Sequence, residues 1–160
     1  MQKEILLKLS VFYTAVLLSC SIATSVWAQE CWVVVNKSNP IAALSKQEVN
    51  AIFLGVRRMF NNIHEIEVVD QAIENPIYAE FYQAVTGKTV AQVRARRAAL
   101  TFTDDVLPPD AVFDDKAVVA WIEQHPHGIG YVYANSDETI GKRVKVVYRF
   151  SVNAENERHD

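Results

Sequence analysis

The sequence is poor in the residues that staple or bend a small fold. It has two cysteines, Cys20 and Cys31, five glycines and five prolines in 160 residues. It has no basic excess: 16 Lys and Arg stand against 19 Asp and Glu. That balance argues against nucleic acid, because a phosphate backbone needs a basic face. No Gly-rich phosphate loop, nucleophile elbow or zincin His pair occurs, so no motif points to an enzyme and no cofactor is implied. Internal repeats, linkers and low-complexity tracts are missing as well. The longest apolar run, VFYTAVLLSCSIATSV from Val11 to Val26, falls short of the ~20 residues of a stable membrane span.

That run does have a recognisable setting. Lys3 and Lys8 precede it, and Val26-Trp27-Ala28 follows, with an aliphatic and a small residue at the −3 and −1 positions before Gln29. A basic start, a short apolar core and an Ala at the cut describe a secretory signal peptide over residues 1–28. Leu17-Leu18-Ser19-Cys20 offers a second reading, a lipobox in which Cys20 is acylated. Only in that case does the chain associate with a membrane, through buried acyl chains rather than through its fold. Cleavage after Ala28 leaves 132 residues carrying 14 basic and 18 acidic side chains, a net charge of −4. This length suits one domain, 29–152, with one core and a polar tail over 153–160. Cys31 would then be the sole cysteine, so the domain must rely on its core instead of a disulfide. Beside Trp32 in an apolar stretch, it reads as a small buried hydrophobe and not as a reactive thiol.

Strand and helix patterns interleave. Cys31–Asn36 carries three successive valines, as in a strand covered on both faces. Ser45-Lys-Gln-Glu48 is a capping box, and Val49, Ile52 and Phe53 line one face of the helix that ends at Gly55. Asn61-Asn62 reads as a turn, and Ile63–Val69 as a second strand. Pro76 opens a helix with Ile77, Phe81 and Val85 at every fourth position, flanked by Tyr78 and Tyr82, and Gly87 ends it. Thr89 and Gln92 cap a third helix, whose apolar side is Val93, Ala99, Leu100 and Phe102. Pro108-Pro109 reads as a loop. Asp114 or Asp115 starts a fourth helix with Val118, Val119, Trp121 and Ile122, which must stop at His125-Pro126. Two strands, Ile129–Tyr133 and Val144–Phe150, complete an α/β chain: a mixed sheet of about four strands with helices packed on its faces.

Three of these pieces recur together elsewhere. VVVNKSNPIAALSKQEVNAIFLG, Val33–Gly55, resembles the segment of periplasmic phosphate-binding proteins of ABC transporters that runs from valines through Asn-Pro to Ile-Phe-x-Gly. FYQAVTGKTVAQVRARRAALTFT is similar to the Phe-Tyr…Gly-Lys…Gln block of a short subgroup, and HPHGIGYV to its Asn-Pro-Gly-Ala-Ile-Gly-Tyr-Val element. The resemblance implies a single periplasmic-binding-protein-like lobe, a periplasmic location, a small oxyanion ligand, phosphate above all, and an inner-membrane ABC transporter as partner. It covers only the second-lobe portion of a two-lobed family. The family's Arg-Ser-Asp-Gly-Ser-Gly-Thr type loop is replaced here by Asp70-Gln-Ala-Ile-Glu-Asn75, and its usual Trp after the first helix by Phe60. Asp70 and Glu74 would repel a dianion by on the order of 1 kcal/mol per close pair in water. A single carboxylate still accepts a hydrogen bond from a protonated phosphate.

The resemblance nominates Ser38, Asn39, Arg57, Asp70 and Gln71 as ligand-binding residues, on loops expected to share one rim of the sheet. Each has a plainer reading. Ser38 and Asn39 also fit a loop shaped by Pro40, and Arg57 and Arg58 fit a helix C-terminus, where cations are favoured. Arg94, Arg96 and Arg97 spread over two helix faces, as on a solvated helix. His125 and His127 flank Pro126 at a chelating spacing, but no cysteine pair or nearby third ligand accompanies them, and no metal is implied. Gly128 supplies the backbone freedom of that turn. The alternative function is a ligand-free adaptor or structural module of the cell envelope built on the same fold.

Overall fold

The valines of the first strand explain the layering. In the computed structural model, which describes residues 28–60, 64–104, 107–134 and 144–153, they lie in β1, Ala28–Asn36. Val33 and Val35 point into one apolar layer and Val34 into the other, and all three are fully buried. A strand between two covered faces has no solvent side, so its sequence does not alternate.

The sheet order is β5-β4-β6-β1-β7, with β4 Glu67–Gln71, β5 Asp110–Val112, β6 Gly128–Tyr133 and β7 Val144–Asn153. β4 runs parallel to β5 and β6, while β1 is antiparallel to β6 and β7. One face carries α1 Lys46–Phe53, α2 Pro76–Thr86 and α3 Val90–Asp104. The other carries α4 Asp115–Gln124. The α/β class with a mixed sheet is as expected, but the sheet has five strands. β5 is the addition: three residues beyond Pro108-Pro109, two of them exposed, which no alternation announces. β2 Met59–Phe60 and β3 His64–Glu65 form a separate two-stranded ribbon. β3 takes the start of the segment read as one strand from Ile63, and β2 precedes it. The turn read at Asn61-Asn62 lies outside the described residues, as do Ile63, the segment through Trp27 read as a signal peptide, with Cys20 in it, and the segment beyond Asn153 read as a polar tail. β1 begins three residues earlier than its apolar run, because Ala28, Gln29 and Glu30 pair with Asn153, Val152 and Ser151 of β7.

The helices start and stop by local chemistry. Ser45 and Glu48 close the capping box, Glu48 N–H donating to Ser45 Oγ at 3.3 Å and Ser45 N–H to Glu48 Oε2 at 2.9 Å. Thr89 and Gln92 repeat it at the head of α3. Asp114 caps α4 by accepting from Ala117 N–H at 2.8 Å. α2 ends at Gly87, whose φ of +68° is left-handed. The inward face of α2 is buried as the spacing predicts, through Ile77, Tyr78, Phe81, Tyr82 and Val85. α3 departs from its pattern: Val93 is buried, but Phe102 is 94% exposed.

The glycines of β6 let α4 lie close to the sheet. Gly128 does not have a positive φ, contrary to the reading of its turn. Its role is clearance, since a Cβ there would stand 2.9 Å from both His125 O and Trp121 Cζ3. At Gly130 a Cβ would meet Val69 Cγ1 at 2.7 Å and Val118 Cγ1 at 2.8 Å. Gly130→Ala must therefore push α4 off the sheet, and overpacking of this kind costs about 1–3 kcal/mol. Urea unfolding checks this; an unchanged midpoint would show that α4 withdraws freely.

Candidate functional site

β4 ends on two buried polar residues that face opposite layers. Asp70 is 2% and Gln71 1% exposed. A buried carboxylate needs partners to remain charged, and three elements supply them. Tyr131 of β6 donates its hydroxyl to Asp70 Oδ1 at 2.6 Å, and Tyr82 of α2 donates to Oδ2 at 2.9 Å. Arg97 of α3 closes an ion pair with Oδ2 and lies against the Tyr82 hydroxyl. Its Nη1 donates to the Tyr78 hydroxyl at 3.1 Å, and its guanidinium sits 5.2 Å from the centre of the Tyr82 ring.

Burial works against the charge on Arg97, but Tyr82 and Asp70 beside it outweigh that and hold the guanidinium above its ordinary value. Burial first, and the Asp70 charge second, push the Tyr82 and Tyr131 phenols well up. Both tyrosines thus stay protonated as donors.

Gln71 turns to the other layer. Its Nε2 donates to Asp115 Oδ1 at 2.7 Å and to Tyr131 O at 3.1 Å. Its Oε1 accepts from Asn75 Nδ2 at 2.6 Å. Asn75 in turn caps α2 through Ile77 N–H. The second Asp115 oxygen accepts from Tyr133 N–H at 3.2 Å. In the segment that replaces the resembled Ser-Gly-Thr loop, side chains of the chain itself take up the helix cap and both strand-end polar groups.

The five nominated residues do not share one rim. Asp70 and Gln71 are neighbours at the end of β4 level with the last residues of β6. Val35 pairs with Ile129 and Glu67 with Gly128, so the loop after β1 lies at the opposite end of the sheet. There Ser38 Oγ donates to Asn36 Oδ1 at 2.8 Å, and Asn39 Oδ1 accepts from Ile41 N–H at 3.0 Å. Asn36 Nδ2 ties this loop to Ile122 O at the end of α4. Antiparallel pairing of β1 and β6 forces the separation. Arg57 stands apart from both, paired with Glu48 at 2.9 Å.

Arg57 does line a half-open cleft of about 500 Å³ beside the first half of β4. Arg58 and Arg97 share its wall, with Glu65, Glu67 and Asp110, and Leu100, Leu107 and Trp121 supply apolar surface. Its size lies within the range of small-molecule sites. Arg97 connects the two features, reaching from the cleft wall to Asp70 behind it. The sequence reading missed Arg97 by treating the α3 arginines as solvated. The available signal was its position four residues after buried Val93, on the same helix face. Arg96 is also engaged, donating from Nε to Leu54 O at 2.8 Å.

The histidines are held by stacking. His125 lies flat on Trp121 at 3.7 Å and donates from Nδ1 to Trp121 O at 2.6 Å, while His127 stacks on His64 at 4.2 Å. Among the described residues no three His, Cys, Asp or Glu side chains stand together as a metal site.

Two predictions follow from the buried cluster. Asp70→Asn keeps the shape but strands the Arg97 charge, and should cost about 3–5 kcal/mol; chemical unfolding reads the loss, and a change near zero would mean that Arg97 swings out to water. Alkali should also destabilise the fold. Burial, then the charges of Glu80 and Asp115, push the Cys31 thiol up to about 12, and Tyr82 and Tyr131 are raised too. In the unfolded chain these groups ionise near pH 8.5 and 10. The folded state then holds more protons, so stability is full below about pH 8.5 and falls as pH rises beyond it. Melting curves across that range should show a midpoint that falls as pH rises; a midpoint that holds steady would contradict the buried donors.

No protein-family model matches the sequence, and no curated protein matches it either. Solved structures do match the fold. The chain aligns with an ABC-type phosphate transport receptor from Vibrio cholerae at 16% identity and a TM-score of 0.58, over 75% of this chain and 46% of that one. PstS from Borrelia burgdorferi aligns at 12% identity and a TM-score of 0.60, over 75% and 47%. A Clostridium perfringens substrate-binding protein solved with phosphate bound aligns at 14% and 0.58, over 75% and 44%. The chain spans less than half the length of these neighbours. Over the part that aligns, the chain shares the α/β fold of these phosphate ABC transporter receptors, as a single periplasmic-binding-protein-like lobe.

Proposed function

We propose that this chain is an exported solute-binding-type protein whose cleft takes a small oxyanion-bearing solute, with phosphate the first candidate. The observation that carries the reading is the cleft itself, with Arg57, Arg58 and Arg97 in its wall, on a fold shared with phosphate receptors. Guanidinium groups present planar donor forks that match oxyanions. Asp70, Tyr82 and Tyr131 serve the site indirectly by holding Arg97 in one place. Gln71, Ser38 and Asn39 hold loops. Binding and release involve no bond chemistry, so the reading is not enzymatic. An inner-membrane transporter would receive the solute in the periplasm, after removal of residues 1–28 or acylation at Cys20.

A second reading is an envelope adaptor. The closed polar network of Gln71, Asn75 and Asp115 favours it, because the segment that resembles a ligand loop binds the chain's own groups.

The protein recovered from the periplasmic fraction should have the mass expected for cleavage after Ala28. Its melting temperature should rise with one class of solute in a screen of oxyanions, sugars and amino acids. Leu100→Trp, which fills the cleft, should abolish that rise while leaving the fold intact by circular dichroism. A folded sample that responds to no solute would end the solute-binding reading and leave the adaptor.

A further inference from the structure

The charges in the cleft wall are mixed. Three guanidiniums, Arg57, Arg58 and Arg97, stand with three carboxylates, Glu65, Glu67 and Asp110. Two of the arginines are already matched by acids, Arg57 by Glu48 and Arg97 by Asp70. A bare dianion entering this space gains less from those cations than an empty guanidinium would offer, and it meets the carboxylates of the same wall. The carboxylates are only lightly engaged. Glu67 stands 3.9 Å from His125 Nε2, and Asp110 accepts from Trp121 Nε1 at 3.2 Å. Each retains capacity to accept from a ligand ammonium. On the cationic side, Arg97 spends Nη1 and Nη2 on Tyr78, Tyr82 and Asp70, and its Nε is buried, so it contributes positive potential to the wall rather than an open donor. Leu100, Leu107 and Trp121 add apolar wall between the charges.

Resting on the solute-binding reading of this cleft, we infer that its ligand is a small zwitterion, an amino-acid-type molecule with a carboxylate, an ammonium and an apolar body. The carboxylate answers Arg57, whose side chain is 30% exposed and whose five N–H donors exceed those used toward Glu48 and Met59 O. The ammonium answers Glu65, Glu67 and Asp110. The apolar body lies on Leu100 and Leu107. This separates the chain from its fold neighbours by charge balance: a site for inorganic phosphate needs a surplus of cationic donors, whereas this wall sets three carboxylates beside three guanidiniums.

The test is calorimetric titration of the purified protein with four probes: leucine, leucinamide, 4-methylpentanoate and inorganic phosphate. Leucinamide lacks the carboxylate and 4-methylpentanoate the ammonium. Leucine should bind, and each truncated probe should bind at least about ten-fold more weakly, as expected when a charged group loses its partner. Glu67→Gln, at a half-exposed position, should weaken leucine by about the same factor while leaving 4-methylpentanoate unchanged. Equal affinity for leucine and 4-methylpentanoate, or tighter binding of phosphate than of leucine, overturns the zwitterion and leaves solute binding in place. Failure of every solute in the wider screen to bind overturns both.

Discussion

A carboxylate inside a protein must be answered by donors, and Asp70 collects them from three elements. Tyr82 comes from α2, Tyr131 from β6 and Arg97 from α3. None of these side chains could be moved without leaving a buried charge or donor unmatched. The cluster therefore fixes the position of α2 and α3 on the sheet, beyond what apolar contact between Phe53, Phe81 and Tyr131 supplies. It also sets the floor of the cleft, because the guanidinium that binds Asp70 is part of the cleft wall.

The sheet's mixed pairing then decides what can meet what. β4, β5, β6 and β7 run one way, and β1 runs against them. The loop after β1 and the loop after β4 consequently emerge at opposite ends. At one end, Ser38 and Asn39 bind backbone and neighbouring amides of their own loop. At the other, Gln71, Asn75 and Asp115 seal the helix cap. The half-open space is left between these ends, against the part of β4 that β5 does not cover.

Much of the secondary structure was legible in the sequence. The two capping boxes act over three residues, so Ser45 with Glu48 and Thr89 with Gln92 announce their helices. The buried valines of β1 and the four-residue repeat in α2 are likewise local patterns. β5 was illegible because three residues beside a Pro pair become a strand only through pairing with β4. Phe102 was misread, since helix periodicity names a face but not whether anything covers it.

The sequence by itself determined where helices begin and which strand is covered on both sides. Only the tertiary structure decided that Arg97 belongs to Asp70, and that Ser38 and Asn39 stand away from Gln71. The physical reason is range. Caps and periodicity act within a turn or a strand, whereas Asp70 lies 12, 27 and 61 residues from its partners. Strand order and register alone bring such distant groups to hydrogen-bond distance.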